Sequence, residues 1–184
     1  MIENDCMSTE IDVFEFTRSA QSRAASCPVL GLDRLSSLLA DPSGQLTWRI
    51  DGWRERDPAG TERLRLRLAA SATVGMRCGR CLGVVDLPLE IDRSYLLAAS
   101  EKEADRLDED EDEFDVLVAS RRFDIEQLLE DEAILALPAV ASHVECEPPG
   151  GRDEKRVDPP ADADDKPKPS PFSVLAALKR NPST

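Results

Sequence analysis

Alternation of apolar and polar residues predicts the strands of this chain most clearly. Residues 45–56 alternate, with Leu46, Trp48 and Ile50 on one side and mostly polar residues on the other. Two longer stretches, residues 63–72 and 87–95, alternate in the same way. A period of two is typical of strands with one buried face. The pattern therefore predicts three strands, all before residue 96.

The last two of these strands flank Cys78-Gly79-Arg80-Cys81. A turn centred on these four residues joins the strands as an antiparallel hairpin. In that register both apolar rows lie on one face of the sheet, as burial requires. The expected pairs are Leu68 with Ile91, Ala70 with Leu89, Arg67 with Asp92, and Ala69 with Glu90.

Two segments have helical patterns. Residues 33–40 (DRLSSLLA) begin at Asp33, a suitable N-cap, and end before Asp41-Pro42. Residues 124–137 have Asp124 as a cap and Pro138 as a stop, with an apolar side that includes Leu128.

Shorter apolar runs predict two more strands, at residues 11–16 and 115–119. Between the hairpin and the second of these lies an acidic stretch, residues 101–115, with ten carboxylates. Repulsion among them predicts a solvated loop at residues 108–113.

The chain divides by composition. Residues 8–146 contain all the elements above and predict an α+β domain with an antiparallel sheet and two or three helices. Residues 147–169 are rich in Pro, Gly, Asp and Lys, which is typical of a disordered linker. Residues 170–184 form a C-terminal amphipathic motif, which either docks on the domain or recognises a partner.

A net charge of -14 on 184 residues limits the partners. Such a chain repels bare phosphate at long range, so an acidic surface favours a basic protein or one restricted RNA contact. No apolar run approaches the roughly 18 residues of a membrane span. The acidic N-terminus has no signal region, so we expect a cytoplasmic protein without a membrane partner.

Cysteine and histidine residues provide a candidate metal site. Cys78 and Cys81 form a C-x-x-C motif, and His143 and Cys146 form an H-x-x-C motif about sixty residues later. Three thiols and one imidazole are a suitable set for a structural zinc ion. Two alternatives stay open: thiols that only pack in a turn, and a redox-active pair. The redox pair is less favoured, because such a motif usually opens a helix after a strand.

Catalytic groups are scarce. The chain has one histidine, no Gly-rich phosphate loop and no nucleophile elbow. We therefore predict a binding protein without catalysis and without a small-molecule substrate.

Arginines are concentrated around the hairpin. Residues 49–80 contain eight Arg and four Asp or Glu, a local excess of cations in an acidic chain. One reading is a face that contacts RNA or a partner through forked hydrogen bonds to phosphate. The other is a set of cross-strand ion pairs with neighbours such as Asp92 and Glu90. The candidate residues are Arg63, Arg65, Arg67, Arg77 and Arg80.

Three segments together resemble the YceD-like family, the bacterial large ribosomal RNA accumulation proteins. They are residues 76–82 (MRCGRCL), residues 130–138 (EDEAILALP) and residues 171–179 (PFSVLAALK), in the order of the family. The resemblance spans almost the whole chain. Many relatives carry a C-P-x-C-G pattern after the helix, whereas this chain has only His143 and Cys146 there.

The resemblance implies a role in synthesis, processing or stability of 23S ribosomal RNA. The expected partner is the 23S precursor or a basic protein of the large subunit, with Phe172, Leu175 and Lys179 of the C-terminal motif as further contacts. The alternatives are a structural zinc protein that chaperones a basic ribosomal protein, and a C-x-x-C redox or metal-handling protein.

Overall fold

The computed structural model describes residues 10–57, 60–110 and 114–147. They form an α+β fold, as predicted, with a mostly antiparallel sheet. No helix in these ranges is long and apolar enough to cross a membrane. The strands are β1 (Glu10–Ile11), β2 (Ser22–Pro28), β3 (Gln45–Arg56), β4 (Glu62–Arg77), β5 (Val84–Ala98), β6 (Asp115–Val118) and β7 (Phe123–Asp124). The helices are α1 (Val13–Arg18), α2 (Asp33–Leu38), α3 (Glu101–Asp110) and α4 (Ile125–Ala136), with a 3-10 turn at Val29–Gly31.

The main sheet has the order β2-β3-β4-β5-β6, and β1 pairs with β7 in a separate two-stranded sheet. Strands β2 to β5 are antiparallel neighbours, which confirms the predicted arrangement. Strand β6 runs parallel to β5. A parallel neighbour needs a crossover connection, and α3 lies within it. The described residues contain four α-helices, whereas the sequence predicted two or three.

One face of the sheet carries the core. Of the alternating positions predicted to be apolar, Leu46, Ile50 and Leu68 are fully buried. Helices α1, α2 and α4 cover this face with Val13, Phe16, Leu35, Ile125 and Leu129.

The hairpin register differs from the prediction by two residues. Strand β4 pairs Leu68 with Arg93 and Ala70 with Ile91. A shift of two keeps every side chain on its predicted face, because the side-chain period of a strand is two. The loop is longer than four residues: the last pair is Arg77 with Val84, so Leu82 and Gly83 also belong to it.

The predicted strand at residues 11–16 is wrong beyond Ile11. Asp12 caps α1 by accepting hydrogen bonds from the backbone N–H groups of Phe14 and Glu15. An N-cap of this kind stabilises a helix start. The helix then places Val13 and Phe16 in the core.

The predicted cap of the helix at residues 33–40 is also wrong. Asp33 is the first helical residue, and the cap position is Leu32, which makes no side-chain hydrogen bond. The helix ends at Leu38, short of Ala40. The prediction for the second helix is confirmed, because Asp124 caps α4 through the N–H groups of Glu126 and Gln127.

The solvated loop predicted at residues 108–113 is wrong at its start, because α3 continues to Asp110. The reason is packing: Leu107 of α3 is buried against Leu96 and Ala98 of β5. Residues 111–113 lie outside the described ranges. So do the predicted linker and C-terminal motif, apart from Glu147, and the domain boundaries stay a prediction.

At Gly52, helix α1 packs tightly against the sheet. A Cβ atom at this position would lie 2.5 Å from Cδ1 of Phe16 and 3.2 Å from Cγ2 of Thr17. We expect Gly52→Ala to lower the free energy of unfolding by about 1–3 kcal/mol, because the helix must shift. Urea denaturation measures this, with Gly31→Ala as control, whose Cβ would meet only Pro28 Cγ at 3.7 Å. Equal unfolding midpoints for the two variants would contradict the prediction.

Candidate metal centre and partner-binding residues

The β4–β5 loop and the segment after α4 meet at the end of the hairpin. We call residues 78–83 the knuckle and residues 138–147 the return segment. Within the knuckle, the N–H of Cys78 donates to the carbonyl of Gly83 at 2.8 Å, and the N–H of Leu82 donates to the carbonyl of Cys78 at 3.0 Å. The N–H of Gly79 donates to the carbonyl of Ala141 at 2.8 Å, and this bond joins the two segments.

This junction brings together all four predicted metal ligands. The sulfur atoms of Cys78 and Cys146 are 3.8 Å apart, and Sγ of Cys81 is 3.4 Å from Nδ1 of His143. The four ligand atoms all lie within 4.8 Å of one another. Two thiolates on one zinc ion are about 3.8 Å apart, because two Zn–S bonds of about 2.3 Å meet at the tetrahedral angle. The cluster can hold a metal ion.

The histidine ring is oriented for ligation. Nε2 of His143 is 2.9 Å from the carbonyl oxygen of Val84. A carbonyl can only accept, so Nε2 carries the proton and, in the neutral ring, the lone pair is on Nδ1. Nδ1 is the atom that faces Cys81. Metal-binding histidines are usually held in this way by a hydrogen bond from the other ring nitrogen.

Cys78 is a strongly perturbed thiol. It is fully buried, and backbone N–H groups of Cys81, Arg80 and His143 lower its pKa to about 5. The bond from the N–H of Arg80 to Sγ is 3.4 Å long. The pKa of Cys146 is raised by burial and by the neighbouring Cys78 sulfur. Cys78 is therefore prepared as a thiolate, the form that binds metals.

The three β4 arginines are all ion-paired. Arg63 contacts Asp57 at 3.1 Å, Arg65 contacts Glu55 at 3.2 Å, and Arg67 contacts Asp92 at 2.7 Å. Arg67 lies opposite Ser94 and reaches Asp92 along the diagonal.

Arg65 is also the least exposed of the three. Its side chain is 12% exposed, and its guanidinium carbon lies 4.0 Å from the ring centroid of Phe114. The negatively polarised face of the ring attracts the positive guanidinium group of Arg65. The geometry thus matches the ion-pair reading of this face, and partner binding by these residues stays a prediction.

The two knuckle arginines differ. Arg77 and Arg80 are exposed and form no salt bridge within the part of the chain that the structure describes. The Nη1 of Arg77 donates to the carbonyl of Leu82 at 3.4 Å. Arg67 and Arg77 are about 33 Å apart along β4, at about 3.3 Å per residue. The five arginines therefore do not form one patch. Phe172, Leu175 and Lys179 lie outside the described residues.

Sequence reasoning missed the exposed apolar side chains around the metal cluster. Leu82, Val84, Val140 and Val144 are all solvent-exposed. One residue could have indicated this surface. Leu82 is bulky and apolar, although it lies between the C-x-x-C motif and Gly83, where a loop usually has a small or polar residue.

Comparison with known proteins agrees with the sequence motifs. A family model described as "Large ribosomal RNA subunit accumulation protein YceD" matches residues 66–179, which is more than half of the chain. Searches of curated proteins and of solved structures each gave no match. The matched span includes strands β5 and β6, helices α3 and α4, and all four residues of the metal cluster. The chain belongs to the YceD family of large ribosomal RNA subunit accumulation proteins.

Proposed function

We propose that this protein is a non-catalytic factor that supports the synthesis, processing or stability of 23S ribosomal RNA. One observation carries the proposal: the match to a family described by accumulation of large-subunit ribosomal RNA, over residues 66–179. That description names an RNA that accumulates and no reaction. A binding role also agrees with the scarcity of catalytic groups in the sequence.

The metal cluster has a structural role in this proposal. The cluster supplies four protein ligands, which occupy all four coordination positions of a tetrahedral zinc ion: Cys78, Cys81, His143 and Cys146. A catalytic zinc ion keeps one position open for water or substrate, so a closed set favours a structural ion. Zinc would hold the return segment on the hairpin and keep the knuckle in one conformation.

The proposed partner is the 23S precursor or a basic protein of the large subunit. The candidate contacts are the arginines of the hairpin and, in the C-terminal motif, Phe172, Leu175 and Lys179. A chaperone for a basic ribosomal protein is the second candidate, supported by the acidic surface of α3. This helix has Glu101, Asp105, Asp108 and Glu109 exposed, with no basic residue in its last turn. Exposed carboxylates attract a basic partner.

Deletion of the gene tests the proposal. We expect a lower level of 23S relative to 16S ribosomal RNA and a deficit of large subunits, because the factor supports accumulation of that RNA. Sucrose-gradient profiles and quantification of both RNAs measure this, with restoration by a plasmid copy as control. A normal gradient profile with normal 23S levels in the deletion strain would contradict the proposal.

A further inference from the structure

Exposed apolar side chains surround the metal cluster. Leu82 is 56% exposed, Val84 49%, Val140 73% and Val144 98%. We call these four residues the knuckle surface. They are half of the eight large hydrophobic residues exposed in the described part of the chain. Apolar side chains gathered in one place at a surface are typical of an interaction site.

The four residues belong to, or directly adjoin, the two segments that carry the metal ligands. The carbonyl of Val84 accepts a hydrogen bond from His143, the neighbour of Val144. A Cβ atom at Gly79 in the knuckle would lie 3.1 Å from Cγ1 of Val140. The knuckle and the return segment therefore present their apolar side chains around the same cluster.

Leu82 is unfavourable for the fold alone. Its φ of 64° is in the left-handed region, which costs a residue with a side chain about 1–2 kcal/mol and glycine much less. With 56% of the residue exposed, burial offsets only part of this cost. A bulky residue at such a position points to a role for its side chain.

Two cations accompany the knuckle surface. Arg77 and Arg80 are exposed and without a carboxylate partner among the described residues, whereas the β4 arginines are paired. Neither Asp86 of β5 nor Glu145 of the return segment forms a salt bridge with them in the described ranges. Apart from the long bond of Arg77 Nη1 to the carbonyl of Leu82, the donors of the two guanidinium groups are available to a partner.

We propose that the knuckle surface, together with Arg77 and Arg80, binds an unpaired segment of RNA; this rests on the proposed function and names its partner. Guanidinium groups bind phosphates through forked hydrogen bonds. The aliphatic side chains pack against base faces, which an RNA duplex keeps stacked and a single strand exposes. Two cations on a chain of net charge -14 suit one short contact. A basic protein would meet two like charges here.

Binding assays test this surface with the zinc-loaded full chain and 23S precursor RNA transcribed in vitro. We expect Arg77→Gln/Arg80→Gln to weaken binding about tenfold. The slope of log K against log salt should become about 1.4 shallower, because each lost phosphate contact to single-stranded RNA changes the slope by about 0.7. Leu82→Gly should weaken binding about tenfold with an unchanged slope, because an uncharged contact is lost. It should also raise or preserve the free energy of unfolding, because glycine relaxes the backbone.

Matched controls separate this surface from general effects. Arg121→Gln removes another exposed arginine without a salt bridge in the described ranges, and Leu135→Ala removes an exposed leucine of α4. Both should bind RNA like the wild type. Every variant should retain its zinc, which shows that the knuckle is folded.

A photoreactive residue in place of Leu82 identifies the partner in cells. We expect crosslinks to 23S RNA at unpaired nucleotides, and none from the same residue at Leu135. Crosslinks to protein alone, crosslinks to duplex RNA, or wild-type RNA binding by both knuckle variants would overturn the proposal. If deletion of the gene lowers 23S RNA but the knuckle variants restore it fully, the knuckle surface does not bind the RNA, while the proposed function stands.

Discussion

Purified protein should contain one zinc ion per chain, and Cys78→Ser should lower zinc affinity more than about 100-fold. Changes to residues that only support a metal ligand already cost about 10- to 100-fold, and this change removes a ligand. Elemental analysis and competition with a chelator measure the affinity. Cys27→Ala is the matched control, because Cys27 is buried in the main core and away from the cluster.

Zinc removal should loosen one region only. In the chelated protein we expect faster hydrogen exchange at the N–H groups of Gly79 and Leu82, whose hydrogen bonds close the knuckle. The N–H groups of the buried strand residues Leu66 and Leu68 should keep their protection, because the main core does not include the cluster. Protein purified under reducing conditions without zinc, or equal zinc affinity of Cys78→Ser and wild type, would contradict this.

Glu130→Ala should lower the free energy of unfolding by about 3 kcal/mol, because it leaves the N–H groups at the start of α2 without an acceptor. The Glu130 carboxylate accepts hydrogen bonds from the N–H groups of Arg34 and Leu35, at 2.7 and 3.1 Å, and from Nε of Arg34 at 2.7 Å. It thus replaces the missing side-chain cap of α2 and joins this helix to α4. Urea denaturation measures the loss.

Asp131→Ala is the control for this change. Asp131 contacts Arg34 at 2.6 Å, but its side chain is 44% exposed, and such pairs contribute less than about 1 kcal/mol. Equal losses for the two variants would show that Glu130 acts only as a surface charge.

The Glu130 contribution should depend on pH. Burial by itself would raise the pKa of Glu130, but the hydrogen bonds from Leu35 and Arg34 hold it below its ordinary value. A lowered pKa in the folded state stabilises the fold above the unfolded pKa of about 4.3 and less as the pH falls through the folded value. The stability difference between wild type and Glu130→Gln should therefore shrink below about pH 4.

The sequence patterns predicted the elements that depend mainly on residues close together in the chain. Strand β3 follows from its alternation and α4 from the Asp124 cap. The register of the hairpin depends on the loop, which needs Leu82 in a left-handed conformation that sequence patterns assign to glycine. Helix α1 was missed because residues 11–16 are short and apolar. The Asp12 cap and the burial of Val13 and Phe16 favour the helix over a strand.

Residue types predicted the metal cluster, but its closure depends on tertiary contacts. The Gly79–Ala141 hydrogen bond that brings the two ligand pairs together joins residues far apart in the chain. The role of Glu130 is equally non-local, since its partners are on another helix. The Arg67–Asp92 pair was predicted with the correct partners but in a different register, because a long side chain also reaches a diagonal neighbour.

The spacing of the metal ligands along the chain has a consequence during translation. Cys78 and Cys146 are separated by 68 residues. At about 5–20 residues per second, the last ligand is synthesised about 3 to 14 seconds after the first. Before His143 is synthesised, only Cys78 and Cys81 of the four ligands are present, so a zinc ion could not be fully coordinated. On the proposal of a structural zinc ion, all four ligands are available only after synthesis has passed α4, so a chain that ends before His143 would lack half of the cluster.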